Sequence, residues 1–164
     1  MCIRFLVLLV FTAFITGGES QDAQTIPLVS MVEEKKPIGS LEITQDKFQH
    51  NAWENNKTTE QTFIDRFESI VKDVHLSKVE YKKIKKWHRQ YERNDTYLTI
   101  TVANAENSKN VFFMDVTDSG EGLLVSFENG ESTDIVYQLK NGDGDLYEKI
   151  HALYTSIHEG KSES

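Results

Sequence analysis

The stretch Tyr97-Leu98-Thr99-Ile100-Thr101-Val102 decides how the rest of the chain reads. Leu98, Ile100 and Val102 alternate with Tyr97, Thr99 and Thr101. That is the period of two, rich in β-branched residues, that marks a strand. Short apolar runs follow at Val111-Phe112-Phe113-Met114, Leu123-Leu124-Val125 and Ile135-Val136-Tyr137. Between them lie Ala103 to Asn110, Asp118-Ser119-Gly120 and Asn129-Gly130. Asn-Gly and Ser-Gly supply the positive φ angles that tight hairpins require. Short turns cannot make parallel crossovers, so the economical arrangement is a four-stranded antiparallel meander.

Upstream, the period lengthens. Phe63, Phe67, Ile70 and Val74 recur at helical spacing, with Ile64 and Val71 widening the stripe. Thr58 and Gln61 stand where a capping box would start that helix. Ser77 to Glu80 repeats the start signal ahead of Tyr81, Ile84, Trp87, His88 and Tyr91, which share one helical face. At about 100° per residue, Lys78, Lys82, Lys85, Lys86, Arg89 and Arg93 gather on the opposite face. The chain closes with a third helix. Asp145 caps it, Glu148 completes a box, and Leu146, Ile150, Leu153 and Ile157 form its apolar stripe.

The expected fold class is therefore α+β: two N-terminal helices, a four-stranded antiparallel meander and a C-terminal helix packed on one sheet face. The single domain spans 58–158 and a polar tail runs from 159 to 164. Residues 21–57 carry both prolines, Pro27 and Pro37, without a sustained period. They read as a flexible or weakly structured segment, relieved by a short strand at Leu41-Glu42-Ile43.

Residues 1–20 read as a cleavable signal peptide. Arg4 gives a positive start, Phe5 to Ile15 an apolar run, and Thr16 to Ser20 a small, polar cleavage region. The run is shorter than the roughly 20 apolar residues that span a bilayer, so no transmembrane segment is expected. The leader contains Cys2, which leaves the mature chain without cysteine. It also contains one Arg and one Glu, so removing it keeps the formal net charge at −8. A secreted, acidic chain of this kind holds itself together by its core, not by disulfides, and has no general affinity for nucleic acid. Two sequons, Asn56-Lys57-Thr58 and Asn94-Asp95-Thr96, fall near expected element boundaries and mark Asn56 and Asn94 as glycosylation sites.

Motifs for chemistry are few. Asn141-Gly142-Asp143-Gly144-Asp145 opens like a calcium loop, but Leu146 and Ala152 stand where glycine and a bidentate glutamate are needed. The stretch reads instead as a turn ending in an Asp cap. His151 and His158 lie seven residues apart on a helix, a separation of roughly 10 Å that no single zinc ion can bridge. With Tyr147 and Tyr154 they make a stripe beside the aliphatic one, either half-buried packing or the aromatic wall of a ligand cleft. There is no Gly-x-Ser-x-Gly elbow and no His-Glu-x-x-His. The chain is expected to work without cofactor or metal and not to be an enzyme.

The least ordinary feature is Lys82-Lys83-Ile84-Lys85-Lys86 in an acidic protein. With Lys78, Arg89 and Arg93 it is a candidate polyanion-binding face, since clustered lysines attract sulfated glycans and anionic headgroups. The expected function is that of a secreted, non-enzymatic binding protein whose partner is an extracellular protein or a sulfated glycan. The alternatives are a carrier of a small apolar ligand and, third, an uncharacterised secreted enzyme.

Overall fold

The computed structural model describes residues 25–47, 52–79, 97–140 and 145–162. Its elements are β1 (Thr25–Pro27), α1 (Leu28–Glu34), β2 (Ile38–Lys47), β3 (Ala52–Thr58), α2 (Gln61–Val71), β4 (His75–Val79), β5 (Tyr97–Asn104), β6 (Asn110–Thr117), β7 (Gly122–Glu128), β8 (Glu131–Lys140) and α3 (Asp145–Ser162). Among the described residues the strands form one sheet of eight in the order β1-β4-β8-β7-β6-β5-β2-β3. Every pairing is antiparallel.

One face of that sheet is the core. Ile43, Ile100, Met114 and Leu124 stand side by side across β2, β5, β6 and β7, and none is exposed to solvent. Directly paired residues share a face, so the row continues to Tyr137 on β8. Leu41, Val102 and Phe112 make a parallel row. Each helix among the described residues delivers side chains to the same cluster: Leu28, Met31 and Val32 from α1, Ile64, Phe67 and Val71 from α2, and Leu146, Ile150, Leu153 and Ile157 from α3. Phe67 of α2 approaches Phe112 of β6 with ring centroids 6.4 Å apart. Arg66 of α2 donates to Ser156 of α3 at 3.1 Å, and Lys36, just after α1, pairs with Glu68 of α2 at 2.9 Å.

The opposite face is mostly polar, as at Thr99, whose hydroxyl donates to Asp115 across the β5–β6 pair at 2.7 Å. It also carries a small separate apolar cluster of Leu123 and Val136, with Val79 and Val125 packed against them.

The sheet corrects the expected architecture. There are not two N-terminal helices ahead of a four-stranded meander; the chain is mostly β, and the strands from Tyr97 to Lys140 are half of a larger sheet. The second expected helix fails at its start: Ser77, Lys78 and Val79 belong to β4, paired with Gln138, Tyr137 and Val136 of β8. Residues 80–96, which hold the rest of that expected helix, lie outside the described residues. So does the turn at 141–144. The segment read as weakly structured contributes β1, α1, β2 and nearly all of β3. The short strand expected at Leu41-Glu42-Ile43 is the middle of ten-residue β2, between β3 and β5.

Two local reasons explain the misreading. The β2–β5 register shifts between Ile38 and Ser40, so the inward alternation changes phase and no clean period of two runs through β2. Gly39 sits at that shift, where a Cβ would meet Ala105 Cα at 2.4 Å; only glycine allows the two backbones to approach so closely. The capping box is also absent. Thr58 is the last residue of β3 and its hydroxyl accepts from the Glu60 amide at 3.1 Å, while Gln61 donates to Asp65 at 2.7 Å. Residue Glu60 takes the N-cap position without a side-chain cap.

Candidate functional site

Short α1 covers the β1 side of the core face but does not seal it. Between α1 and the paired ends of β7 and β8 lies a cleft of about 280 Å³. Ile26 and Met31 form one wall, and Ile135 and Tyr137 of β8 the other. The helix contributes Met31 because Leu28, Met31 and Val32 follow helical spacing: Leu28 and Val32 are fully buried, while Met31 stands at the margin, 9% exposed.

The cleft has a polar spot. Ser126 and Thr133 face each other across the β7–β8 pair with hydroxyl oxygens 2.7 Å apart, and Thr133 donates to the Ser126 carbonyl at 3.2 Å. The β7–β8 register shifts between Val125 and Phe127, beside this hydroxyl pair, and Ser30, Glu34, Lys35 and Glu128 make up the rest of the polar lining. Phe127 rims the opening, its ring edge-on to Phe113 at 4.8 Å. Glu34 and Lys35, at the end of α1, stand at the same rim.

A second cleft of about 200 Å³ adjoins the first, sharing Glu34, Lys35 and Phe127. Apart from Val111 and Gly130, its other residues are polar or basic and come from around the β5–β6 turn, the β7–β8 turn and the α1–β2 connection; they include Lys36, Lys109, Asn107 and Asn129. The turns hold this wall in place. Asn129 and Gly130 adopt positive φ of 54° and 86°, and the stem of Lys109 lies over Gly130, within 3.1 Å of where a Cβ would stand. The Lys109 amide is fixed by the side-chain oxygen of Asn107 at 2.9 Å.

The residues singled out from sequence lie elsewhere. Lys78 is exposed on β4, in register with Tyr137 on the neighbouring strand. Lys82, Lys85, Lys86, Arg89, Arg93 and Asn94 lie outside the described residues. Asn56 is not at an exposed boundary. It is 4% exposed within β3, opposite Ile43, and its side-chain amide donates to the Tyr154 carbonyl of α3 at 3.3 Å.

The aromatic stripe of α3 is packing. Tyr147 and Tyr154 are buried, and the half-buried ring of His151 lies between them at 5.9 Å from each, while His158 is exposed. Burial pushes the Tyr147 hydroxyl pKa up, with a hydrogen bond to Gln45 working in the other direction. Among the described residues no three His, Cys, Asp or Glu side chains come together to hold a metal, and no helix is long and apolar enough to cross a membrane.

Comparison with known proteins returns no match. No family model fits the chain, and neither a curated protein nor a solved structure matches it. The cleft itself left little trace in the sequence. Its walls come from residues 26–35 and 126–137, and the one local signal is Ser126 interrupting the apolar run of β7.

Proposed function

We propose that this chain is a secreted, non-enzymatic binding protein, and that its site is the cleft beneath α1, which takes a small, largely apolar ligand. The observation that supports this reading is the apolar part of the lining, Ile26, Met31, Ile135 and Tyr137 beside the hydrogen-bonded hydroxyls of Ser126 and Thr133, with Ser30, Glu34, Lys35 and Glu128 completing the cleft. Small-molecule sites are concave and mainly apolar, with a few placed polar groups that fix orientation. A hydroxyl pair already hydrogen-bonded to itself offers a fixed polar point that orients a ligand.

The extracellular setting rests on the apolar leader from Phe5 to Ile15. The test is thermal unfolding of the mature protein with and without 1-decanol. Saturation at a hundredfold excess over Kd raises stability by about 2.7 kcal/mol, because ligand binds only the folded state. An Ile135→Arg variant, folded by circular dichroism, loses that shift. No shift with the native protein defeats the reading.

A second reading comes from the Lys82-Lys83-Ile84-Lys85-Lys86 run, which gives an acidic chain one basic stretch. Under it the partner is a sulfated glycan or an acidic extracellular protein. Retention on immobilised heparin that falls steeply with salt, and is lost in a Lys82→Glu, Lys86→Glu variant, supports it. A native protein that flows through at low salt removes it.

A further inference from the structure

The two clefts share a wall, and the shared wall changes what the ligand should look like. The apolar cleft ends at Glu34, Lys35 and Phe127, and the polar cleft begins at the same three residues. A molecule lying in the first therefore presents its end to the second. The second cleft carries Lys35, Lys36 and Lys109 against Glu34, and the first adds one further carboxylate, Glu128. That is unusual local charge for a chain with net charge −8.

The three cations are not equally available. Lys36 is held by Glu68 at 2.9 Å, which also raises its pKa, chiefly through that hydrogen bond and the charge behind it. Lys35 reaches Glu34 only at 3.8 Å, too long for a hydrogen bond. Lys109 has no carboxylate within salt-bridge distance among the described residues. Its stem is laid over Gly130 and its backbone is pinned by Asn107, so the ammonium is carried at the cleft and not swung freely from a loop. Lys109 without a carboxylate partner, and Lys35 with only a long ion pair to Glu34, stand beside the slot and complement an anionic head joined to an apolar tail.

We propose that the paired clefts form one site for a single-chain amphiphile with an anionic head group, its tail between Met31, Ile135 and Tyr137 and its head at Lys35 and Lys109. This rests on the apolar cleft being a ligand site. The polar cleft adds the sign of the charge. A carboxylate head gains from both ammonium groups; a neutral alcohol gains only tail burial; a quaternary ammonium head meets repulsion. The Ser126–Thr133 pair, deeper along the slot, is already self-satisfied and does not compete for the head.

The experiment uses the mature chain at low ionic strength, titrated calorimetrically with decanoate, 1-decanol and decyltrimethylammonium. Exposed ion pairs contribute modestly, so decanoate should bind about three- to tenfold more tightly than decanol, with decyltrimethylammonium weakest. The preference shrinks as salt is added. In a Lys35→Gln, Lys109→Gln variant, decanoate and decanol should bind alike. Equal binding of the two by the native protein, or a preference that survives the double substitution, overturns the anionic-head assignment and leaves the apolar cleft standing as a site. If neither decanol nor decanoate binds, the cleft is no ligand site and both proposals fall.

Discussion

The side-chain amide of Asn56 donates to the main-chain carbonyl of Tyr154 at 3.3 Å, tying the strand β3 to the middle of α3. This asparagine opens a sequon, yet the fold has spent its side chain on an internal bond. A glycan on a nitrogen with 4% exposure would have to displace the helix that covers it. Glycopeptide mass spectrometry of the folded, secreted protein should therefore find Asn56 unmodified. Asn56→Ala should cost about 1–3 kcal/mol, because it removes a buried hydrogen bond between β3 and α3. Full occupancy at Asn56 in protein that still folds would sink this placement of β3 against α3.

The two phenylalanines of α2 should separate cleanly. Phe67 is 1% exposed and packed towards Phe112, whereas Phe63 lies at the edge of the cluster. Phe67→Ala should cost about 3–5 kcal/mol in chemical denaturation, and Phe63→Ala clearly less. Equal losses would mean that α2 is rotated about its axis. Reducing agent should leave the melting temperature unchanged, since Cys2 is the single cysteine of the sequence and cannot form an internal disulfide.

Gly122 should tolerate no side chain. It faces the core at the start of β7, where a Cβ would stand 2.2 Å from the Asp115 carbonyl oxygen and 3.1 Å from a methyl of Leu139. Gly122→Ala forces β6 and β7 apart, and a loss of about 1–3 kcal/mol is expected from comparable overpacking. A neutral result by thermal melting would contradict the β6–β7 register.

Tyr147 supplies a test at alkaline pH. Burial holds its hydroxyl protonated above the ordinary value of 10.0, the charges of Asp118 and Glu148 act the same way, and the Gln45 hydrogen bond opposes them. Below pH 10 the folded and unfolded chains both keep this proton, so its contribution to stability is fully present. Above that, the unfolded chain releases it first, and stability falls as pH rises through the folded pKa. Phenolate absorbance should show one late-ionising tyrosine in the native protein that disappears in Tyr147→Phe. Titration of that variant indistinguishable from the native protein would place the late group elsewhere.

Sequence patterning was a good guide where one element buries one continuous stripe. Leu98, Ile100 and Val102 are all fully buried, and Leu146, Ile150, Leu153 and Ile157 lie in the core along α3 as their spacing indicates. It misled where pairing partners, not the local pattern, decide the structure. Ser77-Lys78-Val79 has the composition of a helix start, yet β8 offers Leu139 to Leu76 and Val136 to Val79, and that cross-strand packing outweighs local propensity. The α1 helix is seven residues long and anchored by Leu28, Met31 and Val32, too few for a period to emerge between two prolines. The cleft was illegible for the same reason on a larger scale. It exists only once residues 26–35 are folded over residues 126–137, a juxtaposition that no window of sequence contains.

The strand order also dictates when the protein can be completed. β1 and β4 join the rest of the sheet only through β8, residues 131–140. A chain delivered from its N-terminus therefore holds Ile26 and Leu76 without their sheet until nearly the last element has emerged. The β2–β5 pairing likewise waits across more than fifty residues of intervening sequence. Contacts so distant along the chain make folding slow and leave apolar surface exposed in the interval, which is when aggregation and chaperone capture occur. A transcript cut short before residue 131 would yield no smaller working version of this protein. Its β1 and β4 have nowhere to dock until β8 arrives.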